Sequence, residues 1–169
     1  MKKILLHFIL CAALIFALCS CVMAASAPDG FRGIKWGTPL SKLNDMIYND
    51  SISDRLKMYT RIGDKMFVGN VKLEGVFYNF LDGKFSGVIL VPQYSMKDDI
   101  NAMLRKRYGN PQQVATDTYT WVLGSGAYPF MITAEPMDAG FTQIYRVRYF
   151  TPQELEHMLN LLGSGADEL

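Results

Sequence analysis

Asp82-Gly83 stands between two apolar stretches, residues 76–81 and 84–91, whose side chains alternate with period two. A two-residue type I′ turn needs positive φ at both central positions, and Asp-Gly supplies it at low cost. The centre of the chain is therefore committed to an antiparallel hairpin, and the rest must pack around a sheet. Strict alternation places Val88 and Leu90 on one face of the second strand and Phe85, Ile89 and Val91 on the other. Its partner carries Val76, Tyr78 and Phe80 opposite Phe77 and Leu81. Strands that are apolar on both faces need two covers. Either helices and a long loop cover both, or one face stays open to a partner, a second copy or a ligand.

Further period-two segments surround this hairpin. Residues 56–61 and 65–69 flank Gly63-Asp64 as a weaker strand pair. Residues 119–123, 130–135 and 142–150 follow later, divided by Gly124-Ser125-Gly126 and Asp138-Ala139-Gly140. In the last strand Tyr145, Val147 and Tyr149 share one face, and Arg146 and Arg148 the wet one.

Helix ends mark three more elements. Thr38-Pro39 opens the first, with Leu40, Leu43, Met46 and Ile47 at helical spacing. Ser95 opens the second with Asp98 as its box partner; its stripe is Met96, Ile100, Met103, Leu104 and Tyr108, and Gly109 and Pro111 end it. Thr151-Pro152 opens the third, Glu154 closes a capping box, Leu155, Met158, Leu159 and Leu162 face inward, and Gly163 stops it. The order is an α+β domain with antiparallel sheet and about three helices, spanning residues 28–163, with a flexible tail over 164–169. It allows two diverged helix-plus-strands units, although their residues hardly match.

The N-terminus reads as an export signal. Met1-Lys2-Lys3 is basic, residues 4–18 are apolar apart from His7, and small residues follow. Three fates compete. Leu18-Cys19-Ser20-Cys21 fits a bacterial lipobox, which would lipidate Cys21. Val22-Met23-Ala24 fits a signal-peptidase site, with cleavage after Ala24. The third fate is retention as an anchor, since the run approaches the ~20 residues that span a bilayer. All three place the folded part in the periplasm or tethered to the cell envelope, with the membrane touched only through the lipid or an uncleaved leader.

That compartment gives the cysteines meaning. Cys11, Cys19 and Cys21 all lie in the leader, so the domain has no thiol and no disulfide. Thiol catalysis and cysteine-held metals are excluded, and stability must come from the core. A chain near this length buries about 68–70% of its unfolded surface, which suffices. With Lys2 and Lys3 set aside, 15 of the 17 Lys and Arg remain against 16 Asp and Glu. Such neutrality argues against nucleic acid as the main partner. Arg105-Lys106-Arg107 completes the last turn of the second helix, where cations complement the dipole.

Reactive constellations are scarce. His157 falls on the wet side of the last helix, and Glu154-x-x-His157 alone completes no metal site. Neither a nucleophile elbow nor a phosphate-binding glycine loop is present. A carboxylate hydrolase would need two of Asp64, Glu74, Asp82, Asp117, Glu135 and Asp138 to meet across a cleft. No cofactor and no metal are called for. Trp36 and Trp121 serve the core by default. Tyr119 and Trp121 share a strand face and, if set beside Arg146 and Arg148, would make a binding surface.

The segment "FRGIKWGTPLSKL", followed downstream by "LRKRYGNP", resembles small exported bacterial domains of uncharacterised type. More distantly it resembles the β-barrel assembly lipoprotein and β-lactamase-inhibitor folds. Gly33, Trp36-Gly37, Tyr108-Gly109 and Pro111 carry the likeness. Here a block of strands separates the two segments, where those folds set two helices together. The resemblance implies a non-catalytic envelope module and transfers no residue role. The expectation is a cell-envelope binding or scaffold module, meeting another envelope protein or itself through an apolar sheet face. The alternatives are a small periplasmic carboxylate-dependent hydrolase and a carrier of an apolar small ligand.

Overall fold

A computed structural model describes residues 26–140 and 142–164. Cys21, the cleavage site after Ala24 and residues 165–169 lie outside the described residues.

The domain is α+β, and its strands pair antiparallel throughout. A small ribbon, β1 (Gly30–Phe31) with β2 (Ile34–Lys35), comes first. Then follow β3 (Met46–Ser51), β4 (Leu56–Arg61), β5 (Phe67–Val68), β6 (Val71–Leu81) and β7 (Lys84–Pro92). Helix α1 (Lys97–Tyr108) leads to β8 (Gln112–Ala115), β9 (Thr118–Leu123), β10 (Phe130–Ala139) and β11 (Thr142–Phe150), and α2 (Pro152–Ser164) closes the chain. The large sheet has the order β3-β4-β6-β7-β11-β10-β9-β8, with β5 paired to β6. It is two successive four-stranded meanders joined through their last strands, β7 and β11.

The central hairpin forms as its turn chemistry demands: Asp82 and Gly83 have φ of 49° and 72°. Alternation breaks one turn later. Asn79 opposes Gly87 while Phe80 opposes Phe85, so Ser86 is an extra, bulged residue. The bulge turns Phe85 to the face of Val88 and Leu90, against the expectation that it sides with Ile89 and Val91.

That face holds the core. Tyr59, Tyr78, Val88, Tyr149, Ile132 and Trp121 stand opposite one another in one row across six strands. Ile100, Leu104 and Tyr108 of α1 pack against them. Those fully buried, such as Val88, Ile132 and Ile100, each stabilise the fold by about 1.5–3 kcal/mol, and Tyr59 at the edge is only partly buried. Buried Asn101 of α1 donates to the Tyr145 hydroxyl (2.8 Å), which also bonds the Asp117 carbonyl at 3.1 Å. Trp121 donates from Nε1 to the carbonyl of Gly109 (2.9 Å), the helix-ending residue read from sequence. Trp36 stacks on Phe85 at 4.7 Å between ring centroids.

Several expectations need correction. Among the described residues there are two α-helices rather than three. Thr38-Pro39 opens only a 3-10 turn, Leu40–Lys42, and Met46 and Ile47 belong to β3. One turn already seats Leu40 and Leu43 against the core, so the spacing is met without a longer helix. At α1 a 3-10 turn over Tyr94–Met96 precedes the helix, and no side chain caps it. Residues 56–61 do form a strand, but β4 pairs with β3 and β6, whereas β5 folds back on the start of β6. β8 and the β1–β2 ribbon are short strands that periodicity did not mark.

Candidate binding face

The four side chains proposed as one surface do not meet. Tyr119 and Val147 both oppose Ala134, which puts Tyr119, and with it Trp121, on the core face beside α1. There Trp121 is buried and the Arg105 guanidinium lies over the Tyr119 ring at 4.8 Å. Arg146 opposes Glu135 and Arg148 opposes Thr133 on the opposite face. Alternation within a strand shows which residues travel together. Only register across strands shows which face they share with a neighbour, and register is not written in any one strand.

The arginine face is covered at one end only. Phe77, Ile89, Arg148, Thr133 and Thr120 form one row across β6, β7, β11, β10 and β9. The next row, Asn79, Gly87, Phe150 and Met131, lies toward α2. Helix α2 rests there, so Phe150 is buried; in the row beside it Ile89 is also buried, while Phe77, Thr133, Arg148 and, one row on, Arg146 remain half-buried.

The two arginines differ in their partners. Arg146 donates to Glu135 at 2.6 Å. Arg148 has no hydrogen bond and no ion pair with any described residue; its guanidinium sits 4.5 Å above the Phe150 ring. The Nε atoms of both are buried without an acceptor. Burial, and next the charge of Arg146, disfavour the charged form of Arg148, yet a guanidinium remains a cation under any physiological condition. Glu154 and Glu135 favour the charge from beyond ion-pair distance, but a half-buried cation with no directly bonded counter-ion is still an electrostatic cost that packing alone does not explain.

Sequence reasoning gave Glu154 a capping role only. It is 0% exposed, reaching from the first turn of α2 to accept from Asn79 Nδ2 at 2.6 Å and Ser86 Oγ at 2.7 Å. Burial raises its pKa above the ordinary 4.5, opposed by those hydrogen bonds and by Arg148. The expected capping box forms by half: the Glu154 N–H reaches Thr151 Oγ1 at 3.4 Å, but the carboxyl turns into the sheet. Helix α2 is accordingly rotated from its expected setting. Thr151, Glu154 and Leu155 are buried, whereas Leu159 and Leu162 are 48% and 70% exposed. The clue available in sequence was the bulge-prone Ser86-Gly87 step, which leaves room for a side chain from above.

His157 borders a cleft of about 720 Å³ between the tip of the β6–β7 hairpin and α2, with Trp36, Arg55, Asp82, Lys84 and Gln153. Its Nε2 lies 2.9 Å from Ser53 Oγ. In a nucleophile–base pair a third group characteristically orients the base. Here Ser53 Oγ is engaged by the Leu56 N–H at 3.1 Å, and no carboxylate among the described residues bonds the other imidazole nitrogen.

The acidic residues named for hydrolysis are mostly engaged by different cations. Asp64 pairs with Arg32 and accepts from the Tyr78 hydroxyl at 2.8 Å; Asp82 pairs with Arg55 at 2.6 Å, Asp117 with Lys97 and Glu135 with Arg146. Glu74 and Asp138 are exposed. Among the described residues no group of three or more His, Cys, Asp or Glu gathers as metal ligands, and no helix is long and apolar enough to cross a membrane. Compared with family models, with curated proteins and with solved structures, the chain matches none.

Proposed function

We propose that this protein is a non-catalytic binding or scaffold module of the cell envelope, exported by its N-terminal signal and either tethered through Cys21 or free in the periplasm. The observation that carries the reading is the half-covered second face of the sheet, with Arg148 unpaired at its centre. Enzymes arrange their charged groups around reacting atoms, and the pairs described above are instead spread over separate strands. The resemblance of the Gly33–Trp36 and Tyr108–Pro111 segments to exported envelope domains points the same way. Two meanders, one led by the Leu40–Lys42 turn and one by α1, also support reading the domain as two diverged units.

A photo-crosslinking residue at Thr133, on the open face, tests this in cells producing the full chain. A discrete adduct at 133, absent when the same residue replaces exposed Lys57 on the opposite face, is the expected result. The reading is overturned if position 133 yields no adduct, or if the purified chain turns over a substrate.

A further inference from the structure

Row by row, the open face changes character. Arg148 on β11, Thr133 on β10 and Thr120 on β9 stand opposite one another. With strands about 4.8 Å apart, the three lie within roughly 10 Å. None of these side chains hydrogen-bonds another described residue. On the other side of Arg148 the same row continues as Ile89 and Phe77, without a polar group. Arg146, one row away, is ion-paired with Glu135, whereas Arg148 has no direct ion pair among the described residues and feels Glu154 and Glu135 only at longer range.

A cation with two unbonded hydroxyls on the strands to one side of it is a donor set for an oxyanion, since guanidinium and hydroxyl hydrogens can both be given to carboxylate or phosphate oxygens. An anion alone would not use Ile89 and Phe77. A neutral apolar molecule would leave the Arg148 charge desolvated and unanswered, which disfavours it. Only a molecule with both parts satisfies the whole row.

We propose that this row binds an anionic amphiphile, a carboxylate or phosphate head carried on an apolar chain, with the head on Arg148 and Thr133 and the chain passing the narrow exposed edge of Ile89 to lie on half-buried Phe77. The inference rests on the open-face reading and adds the chemistry of the occupant.

Titration of the full chain with octanoate, octyl phosphate and octanol, each kept monomeric, tests it through the Arg148 side-chain N–H resonance. At least one anion should bind ten-fold or more tightly than octanol. Whichever anion binds tighter names the head group, and preference for either supports the proposal. Arg148→Gln should abolish that preference, Arg148→Lys should keep part of it, and both should melt as cooperatively as the parent. Equal binding of all three compounds, no binding, or an Arg148→Gln variant that keeps the preference would overturn it. If the adduct at 133 persists while anions show no preference, this inference alone fails. If both are absent, the open-face reading fails with it.

Discussion

The carboxyl of Glu154 stands so close over Gly87 that a Cβ at that glycine would lie 2.3 Å from Oε2 and 2.6 Å from the Tyr149 carbonyl. The contact joins the last helix to the bulge in β7, and through it to the middle of the sheet. Backbone on one side and a hydrogen-bonded carboxyl on the other leave neither neighbour free to move. Gly87→Ala should therefore destabilise the fold by about 1–3 kcal/mol, as overpacking does. Urea denaturation followed by tryptophan fluorescence measures this, and an unchanged midpoint would mean that α2 is not seated there.

Glu154 should make stability fall with rising pH. Its folded pKa lies above the unfolded value because burial disfavours the carboxylate. The folded state then holds the proton more tightly, so the contribution is fully present below the ordinary value of 4.5 and is lost as pH rises through the folded pKa. Glu154→Gln keeps the shape and removes the ionisation. It should flatten that part of the stability–pH curve and be at least as stable as the parent at pH 8. Glu154→Leu, in contrast, strands Asn79 and Ser86 and should cost about 1–3 kcal/mol. Melting each variant between pH 4 and 8 separates these outcomes.

Tyr145 links β11 to α1 through Asn101. Tyr145→Phe leaves the buried Asn101 amide without its partner and should cost about 1–3 kcal/mol with little change in far-ultraviolet circular dichroism. Burial pushes the phenol up to about 12. Its stabilisation is thus complete below pH 10 and fades as pH rises toward that value. Alkaline unfolding of the variant should lack this component.

How much of this was legible beforehand depends on which forces set each feature. The central hairpin was readable because Asp82-Gly83 fixes its turn locally, and Tyr145, Val147 and Tyr149 were readable as a buried face because β11 alternates strictly. The setting of α2 was not. Leu159 and Leu162 look like the inward face by hydrophobicity, yet Glu154 is inside because Asn79 and Ser86, far away in sequence, supply its hydrogen bonds. The first helix failed for another reason: a single 3-10 turn and a following strand can place Leu40, Leu43 and Met46 on the core as well as a helix can. The candidate site divided in the same way. Arg146 and Arg148 were visible as a pair from their spacing, but their separation from Tyr119 and Trp121 depends on the register of three strands, β9, β10 and β11.

The claim on which the account turns is that Arg148 is kept unpaired on the open face for a ligand, at the expense of stability. Thermal melting of the parent and Arg148→Met, each with and without monomeric octyl phosphate, tests it most directly. Without ligand the methionine variant should melt higher than the parent, by an amount equivalent to about 1 kcal/mol. The ligand should raise the parent and leave the variant unmoved. A variant that melts lower than the parent, or that the ligand raises equally, would contradict it.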